Sequence, residues 1–144
     1  MIAVAGKLCH PLSAAREPGT AVAEETLTHA TTVIGPLQVT AKLHVVGNFP
    51  ELVGRLWDVS ASGATRQIVE AGVVRPTVDQ SAHSGPDSTG DTTVTFDLNP
   101  NEDTVAAGDT LELELVGSTA PWFRASNGTF TMTVTDLHAT IGTH

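Results

Sequence analysis

The side chains of this sequence that are able to do chemistry are few, and their spacing suits no common reaction. Cys9 and His10 are adjacent, but neighbours on an extended segment point to opposite sides. An ordinary thiol near the chain start explains Cys9 better than a Cys–His nucleophile pair. The six histidines, His10, His29, His44, His83, His138 and His144, show neither His-x-His nor His-x-x-x-His spacing, so no pair is preset to grip a metal. No Gly-x-Ser-x-Gly occurs, which removes the exposed nucleophile of an α/β-hydrolase. "NPNEDT" lacks the spaced ligands and distal glutamate of a calcium loop and reads as a polar turn between strands. "SGPDSTGD", within Asp79–Asp91, suits a cation-binding bend and a plain surface loop equally. The sequence therefore predicts no catalytic residue, no metal site and no cofactor.

Binding chemistry is better represented. Trp122 and Phe123 stand side by side behind Pro121, followed by Arg124 and the turn signal Asn127-Gly128. The chain has two tryptophans, four phenylalanines and no tyrosine, so two bulky rings in one loop are a conspicuous use of them. Flat rings there suit stacking on a sugar or on a partner protein, with Arg124 as a polar anchor at the rim. They suit equally a hydrophobic lid over one end of the fold. Trp57 shares its parity with Val53 and Val59 inside a strand-like run, and packing is its expected role. Asn127-Gly128-Thr129 fits a glycosylation sequon, a tripeptide common by chance.

The elements that must carry these residues have a period of two. In "QVTAKLHVV", Val39, Ala41, Leu43 and Val45 alternate with Thr40, Lys42 and His44. "TTVTFDL" sets Val94, Phe96 and Leu98 against Thr93, Thr95 and Asp97, and "TLELELV" sets Leu111, Leu113 and Leu115 against Thr110, Glu112 and Glu114. Such alternation predicts antiparallel strands with one face on a core and one in water. "ELVGRLWDVS" and "RQIVEAGVVR" carry apolar residues on both parities and predict strands at least partly covered on both sides, with Gly54 and Gly72 marking bulges or close backbone approach. In the last strand the apolar residues change phase, from Phe130, Met132 and Val134 to Leu137, Ala139 and Ile141. One extra residue at Thr135–Asp136 would absorb that change as a bulge and let a long strand serve two parts of a sandwich. Short strands and frequent turns predict an all-β jelly-roll β-sandwich of about eight strands. Val39, Leu43, Val45, Leu56, Phe96, Leu111, Leu113, Leu115, Phe130, Met132 and Val134 are its expected core.

With 144 residues the chain is long enough for one domain, burying roughly two thirds of its unfolded surface. Residues 1–25 are expected to be an N-terminal extension or linker and residues 26–144 the sandwich. The net charge is −9 and the seven Lys and Arg residues are dispersed, which argues against nucleic-acid and anionic-membrane partners. No apolar run approaches the roughly 18 residues of a membrane span, and Ile2–Ala5 is too short for a signal peptide. A soluble domain is expected, its compartment left open.

Taken in order, several segments have a familiar arrangement. Gly35-Pro36 precedes the first long strand, followed by Arg55-Leu56-Trp57-Asp58-Val59 and Gly72-Val73-Val74-Arg75. Then come Leu98-Asn99-Pro100, Gly108 before the Leu-Glu-Leu-Glu-Leu strand, and Ala120-Pro121 leading to Arg124 and Ser126-Asn127-Gly128. This order resembles the C-terminal, non-catalytic domain of the Xaa-Pro dipeptidyl-peptidase and cocaine-esterase group of serine hydrolases, over roughly residues 26–141. The resemblance implies a galactose-binding-like jelly roll docked on an α/β-hydrolase domain, which would be the partner, in the same polypeptide or as a separate chain. In that group the Ser-Asp-His triad lies in the hydrolase domain, so no catalytic residue carries over. An accessory domain that shapes or covers a hydrolase active site is the first expectation, and Trp122, Phe123 and Arg124 are its expected contacts. A carbohydrate-binding or other ligand-binding sandwich is the alternative.

Overall fold

The computed structural model describes residues 20–78, 89–117 and 128–142, together with the backbone of residues 2–4. Trp122, Phe123 and Arg124 lie outside the described residues, as do Cys9, His10, His83, His144 and residues 79–88 of the expected long loop.

Among the described residues ten strands run in chain order: β1 Ile2–Val4, β2 Ala21–Thr26, β3 Thr31–Gly35, β4 Gln38–Gly47, β5 Leu52–Val59, β6 Arg66–Val74, β7 Gly90–Asp97, β8 Asn101–Val105, β9 Thr110–Val116 and β10 Phe130–Ile141. Eight of them form two antiparallel four-stranded sheets, β1-β10-β4-β7 and β2-β9-β5-β6. The other two, β3 and β8, pair as a short ribbon. "NPNEDT" is thus not simply a turn. Asn101–Val105 is a strand because Thr31–Gly35 lies antiparallel beside it and takes its backbone hydrogen bonds. Strand pairing also extends towards the N-terminus beyond residue 26, since β1 pairs with β10 and β2 with β9.

The two sheets face each other across one apolar core, as the alternation requires. Val39, Leu43 and Val45 of β4 meet Leu56, Leu111, Leu113 and Leu115 of the opposite sheet, all of them buried. Met132 and Val134 pack against this cluster from β10 but remain half-buried, and Phe130 is also only half-buried. These three sit at the beginning of β10, where the core thins towards one end. Gly54 and Gly72 mark close approach between the sheets. A Cβ on Gly72 would lie 2.7 Å from the Asp97 carbonyl oxygen, and one on Gly54 would lie 2.8 Å from the Leu98 side chain. The bulge of the β5–β6 pairing lies elsewhere, at Val69 of β6, which is passed over between the pairs Leu56–Glu70 and Trp57–Ile68.

The register of β10 on β4 slips between Val134 and Asp136, leaving Thr135 as the extra residue. Its hydroxyl donates to the Lys42 carbonyl at 3.2 Å. The bulge lets Val134 and Leu137 both face inward although they differ in parity. Both halves of β10 pair with β4, so the long strand serves one sheet, and its last residues also take up β1.

The outer face of β9 departs from expectation, while β5 is covered on both sides as its two-parity pattern predicts. Glu112 and Glu114 do point away from the leucine core, but they are buried, at 0% and 2% exposure, and not in water. Val53 and Val116 on the same outer face are equally buried. The central strands of this sheet are therefore covered on both sides.

Candidate functional site

Burial of two glutamates on a sheet face requires cations, and the cross-strand register supplies them. Arg55 stands opposite Glu114 and Trp57 opposite Glu112. Glu114 Oε2 accepts from Arg55 Nε at 3.0 Å and from Trp57 Nε1 at 2.7 Å, and Arg66 Nη2 lies 3.3 Å away. Arg66 also pairs with Glu112, and its guanidinium stacks on the Trp57 ring, 4.1 Å from the centroid. Trp57 is accordingly a half-buried member of a polar cluster and not a core side chain. An extra residue in β6, Val69, shifts the phase of that strand and brings Arg66 onto the face of Trp57, a displacement that parity counting does not register. Two arginines and two glutamates balance, so the cluster is a neutral brace with no open coordination position. The sequence did contain a signal for it, two outward glutamates on a strand whose neighbour reads Arg-x-Trp.

The polar outer face of the other sheet carries His44 and His138. His44 Nδ1 lies 2.6 Å from Asp91 Oδ1, and His138 Nε2 lies 3.0 Å from Asp136 Oδ1. Both imidazoles are about half exposed. Among the described residues no group of three His, Cys, Asp or Glu side chains is arranged to hold a metal. At one pole Asp58 is raised above its ordinary 3.8 by burial, then by the nearby charges of Asp109 and Asp103. Glu70 is also raised, by burial, against the opposing pull of the Leu37 and Asn101 backbone N–H groups.

The opposite pole has a different character. Strands β4, β6 and β9 end there and β2, β5, β7 and β10 begin there, so the connections 48–51, 75–89 and 117–129 leave and rejoin the sheets at this end. Val46, Phe49 and Val73, three of the four large apolar residues exposed among those described, lie at this end. Phe49 is 63% exposed, and its φ of 51° is in the left-handed region that bulky side chains avoid. The connection bearing Trp122, Phe123 and Arg124 departs from Gly117 and returns at Gly128. Gly128 leaves no room for a side chain, since a Cβ there would overlap the Asn48 carbonyl and touch the Phe49 Cβ at 3.0 Å. The aromatic-bearing connection is thus anchored beside Phe49. In the sequence, Phe49 stands between Gly47-Asn48 and Pro50, a signal that alternation does not interpret.

Residues 8–144 match the family described as the X-Pro dipeptidyl-peptidase C-terminal non-catalytic domain. The chain belongs to that family. Its member domains are the non-catalytic part of such hydrolases, in agreement with the missing nucleophile motif. Among solved structures, it is similar to an α-amino acid ester hydrolase, with TM-score 0.70 and 16% identity over 89% of this chain and 26% of that one. An aminopeptidase from a marine sediment Thaumarchaeota archaeon aligns with TM-score 0.68 and 14% identity, over 91% of this chain and 26% of that one. A CocE/NonD family hydrolase from Staphylococcus aureus gives TM-score 0.55 and 14% identity, over 85% and 33%. The chain spans about a quarter of the first two, and at these identities the likeness is one of fold. No curated protein matches the sequence. No helix among the described residues is long and apolar enough to cross a membrane.

Proposed function

We propose that this domain docks through its looped end on an α/β-hydrolase domain, in the same polypeptide or as a separate chain, and there helps to shape or cover the active site. The observation that carries this reading is Phe49, an aromatic ring presented to solvent from a left-handed backbone position. Such a conformation costs about 1 kcal/mol or more, and residues held in it cluster at active sites, ligand clamps and switch regions. Val46 and Val73 extend the apolar character of the same end. Trp122, Phe123 and Arg124 belong to the connection that starts and finishes there, and we include them in the docking site. Rings flanked by an arginine are the usual anchors of protein interfaces. The family's place in hydrolases supplies the occupant.

The test compares wild type with Phe49→Ala and Trp122→Ala, both in the isolated domain and joined to its hydrolase domain. Docking predicts at least a several-fold loss of association or of hydrolase kcat/KM, with the isolated variants still folded by far-ultraviolet circular dichroism. Unchanged association and activity in both variants would remove the reading. A glycan that binds the isolated domain and is lost with Trp122→Ala would put the carbohydrate-binding alternative in its place. The isolated domain is expected to leave Xaa-Pro chromogenic dipeptides and short esters uncleaved.

A further inference from the structure

Glu51 follows the Phe49-Pro50 corner and is as buried as a core leucine, at 2% exposure, yet its Oε1 has no hydrogen-bond partner. Among the described residues its ion pair is with Arg75, which flanks the Leu52–Val74 register pair just past the end of β6. Arg75 Nε lies 3.9 Å from Glu51 Oε2, beyond hydrogen-bonding range, and the arginine side chain is 76% exposed. The carboxylate is enclosed while its counter-charge stands in water.

An enclosed carboxylate with an unused oxygen is unfavourable, and an arginine has five donors in a planar fork with which to complete it. Arg75 lies two residues beyond exposed Val73 and at the same end as Phe49. A partner surface seated on this end would remove water from the guanidinium as well. Donors left without acceptors in a dried interface oppose binding strongly, so the partner has to supply acceptors facing Arg75.

We infer that Arg75 is a bridge in the docking contact, closing onto Glu51 on one side and onto a carboxylate of the docked hydrolase domain on the other. This rests on the docking reading above and adds the chemistry of the partner: an apolar surface for Phe49 with an Asp or Glu beside it. The sign of this contact is distinctive. A chain of net charge −9 would by itself favour basic surfaces, so an acidic residue opposite Arg75 runs against the overall charge.

The experiment measures association of this chain with the hydrolase domain encoded with it, by titration calorimetry at low and high salt, for wild type, Phe49→Ala, Arg75→Gln and Arg75→Glu. Circular dichroism checks that each variant is folded. The bridge predicts roughly 30-fold or greater weakening by Arg75→Glu, a smaller loss with Arg75→Gln, and recovery when one hydrolase carboxylate is changed to lysine. If Phe49→Ala weakens binding while Arg75→Glu leaves it within twofold or tightens it, the bridge is wrong and the docking end stands. If neither variant matters, or the wild-type domains do not associate, the docking reading falls and the bridge with it.

Discussion

Replacing Glu114 by alanine removes the acceptor on which the outer-face cluster converges. Arg55 donates to it through Nε at 3.0 Å and approaches it through Nη2 at 2.9 Å, and Trp57 donates at 2.7 Å. Arg66 retains Glu112 and its stack on Trp57, and is about one third exposed, so it loses little. Arg55 is only 13% exposed and loses both of these contacts. Breaking a buried pair by deleting one partner costs about 3–5 kcal/mol, and the unpaired indole N–H falls within the same disruption. We expect about 4 kcal/mol of destabilisation, which for a domain of this size is a melting-point drop of roughly 12 °C. Calorimetric melting and urea midpoints read it directly. The double variant Glu114→Leu with Arg55→Leu removes both charges together and should recover most of the loss, because the desolvation cost disappears with the pair. A single-variant loss below about 1 kcal/mol, or a double variant no better than Glu114→Ala, would refute the brace.

Two further outcomes follow from single residues. Glu70 has a raised folded-state value, so its ionised form is disfavoured in the fold; wild-type stability is expected to decline as pH rises from about 4.5 through that raised value. Glu70→Gln should flatten this part of the pH–stability curve in denaturant titrations while keeping an acceptor for the Leu37 N–H, and an unchanged curve would count against the assignment. Deleting Thr135 removes the bulged residue and leaves Val134 and Leu137 facing inward with regular alternation, so the protein should stay folded with a loss of about 1–2 kcal/mol. Deleting Lys42 from unbulged β4 turns half of that strand's apolar residues outward and should unfold the chain, as circular dichroism would show.

Much of the fold was legible because alternation reports which side chains share a face. It identified Val39, Leu43, Val45 and Leu113 as core and placed the irregularity of β10 at Thr135. It does not report what lies against the second face. Glu112 reads as a solvent residue until Arg66 is brought over it from a strand some 46 residues away in sequence. The strand at Asn101–Val105 was hidden for a related reason, since polar residues form a strand only when a partner such as Thr31–Gly35 is at hand. The buried Glu51 beside exposed Arg75 depends on a corner that no local pattern encodes.

The pairing of β1 with β10 has a mechanical consequence. Ile2 lies opposite Ile141 and Val4 opposite Ala139, so the first and last described strands run antiparallel with their outer ends side by side. Tension applied through residues 2 and 141 would pull across the ladder and not along it, loading one pair of hydrogen bonds at a time. β1 would peel away at low force, in the manner of a zip, while the β4–β10 pairing behind it still held. A neighbour tugging on this end of the sandwich would therefore be met first by a three-residue fuse, with the core kept out of the line of force until that fuse had opened.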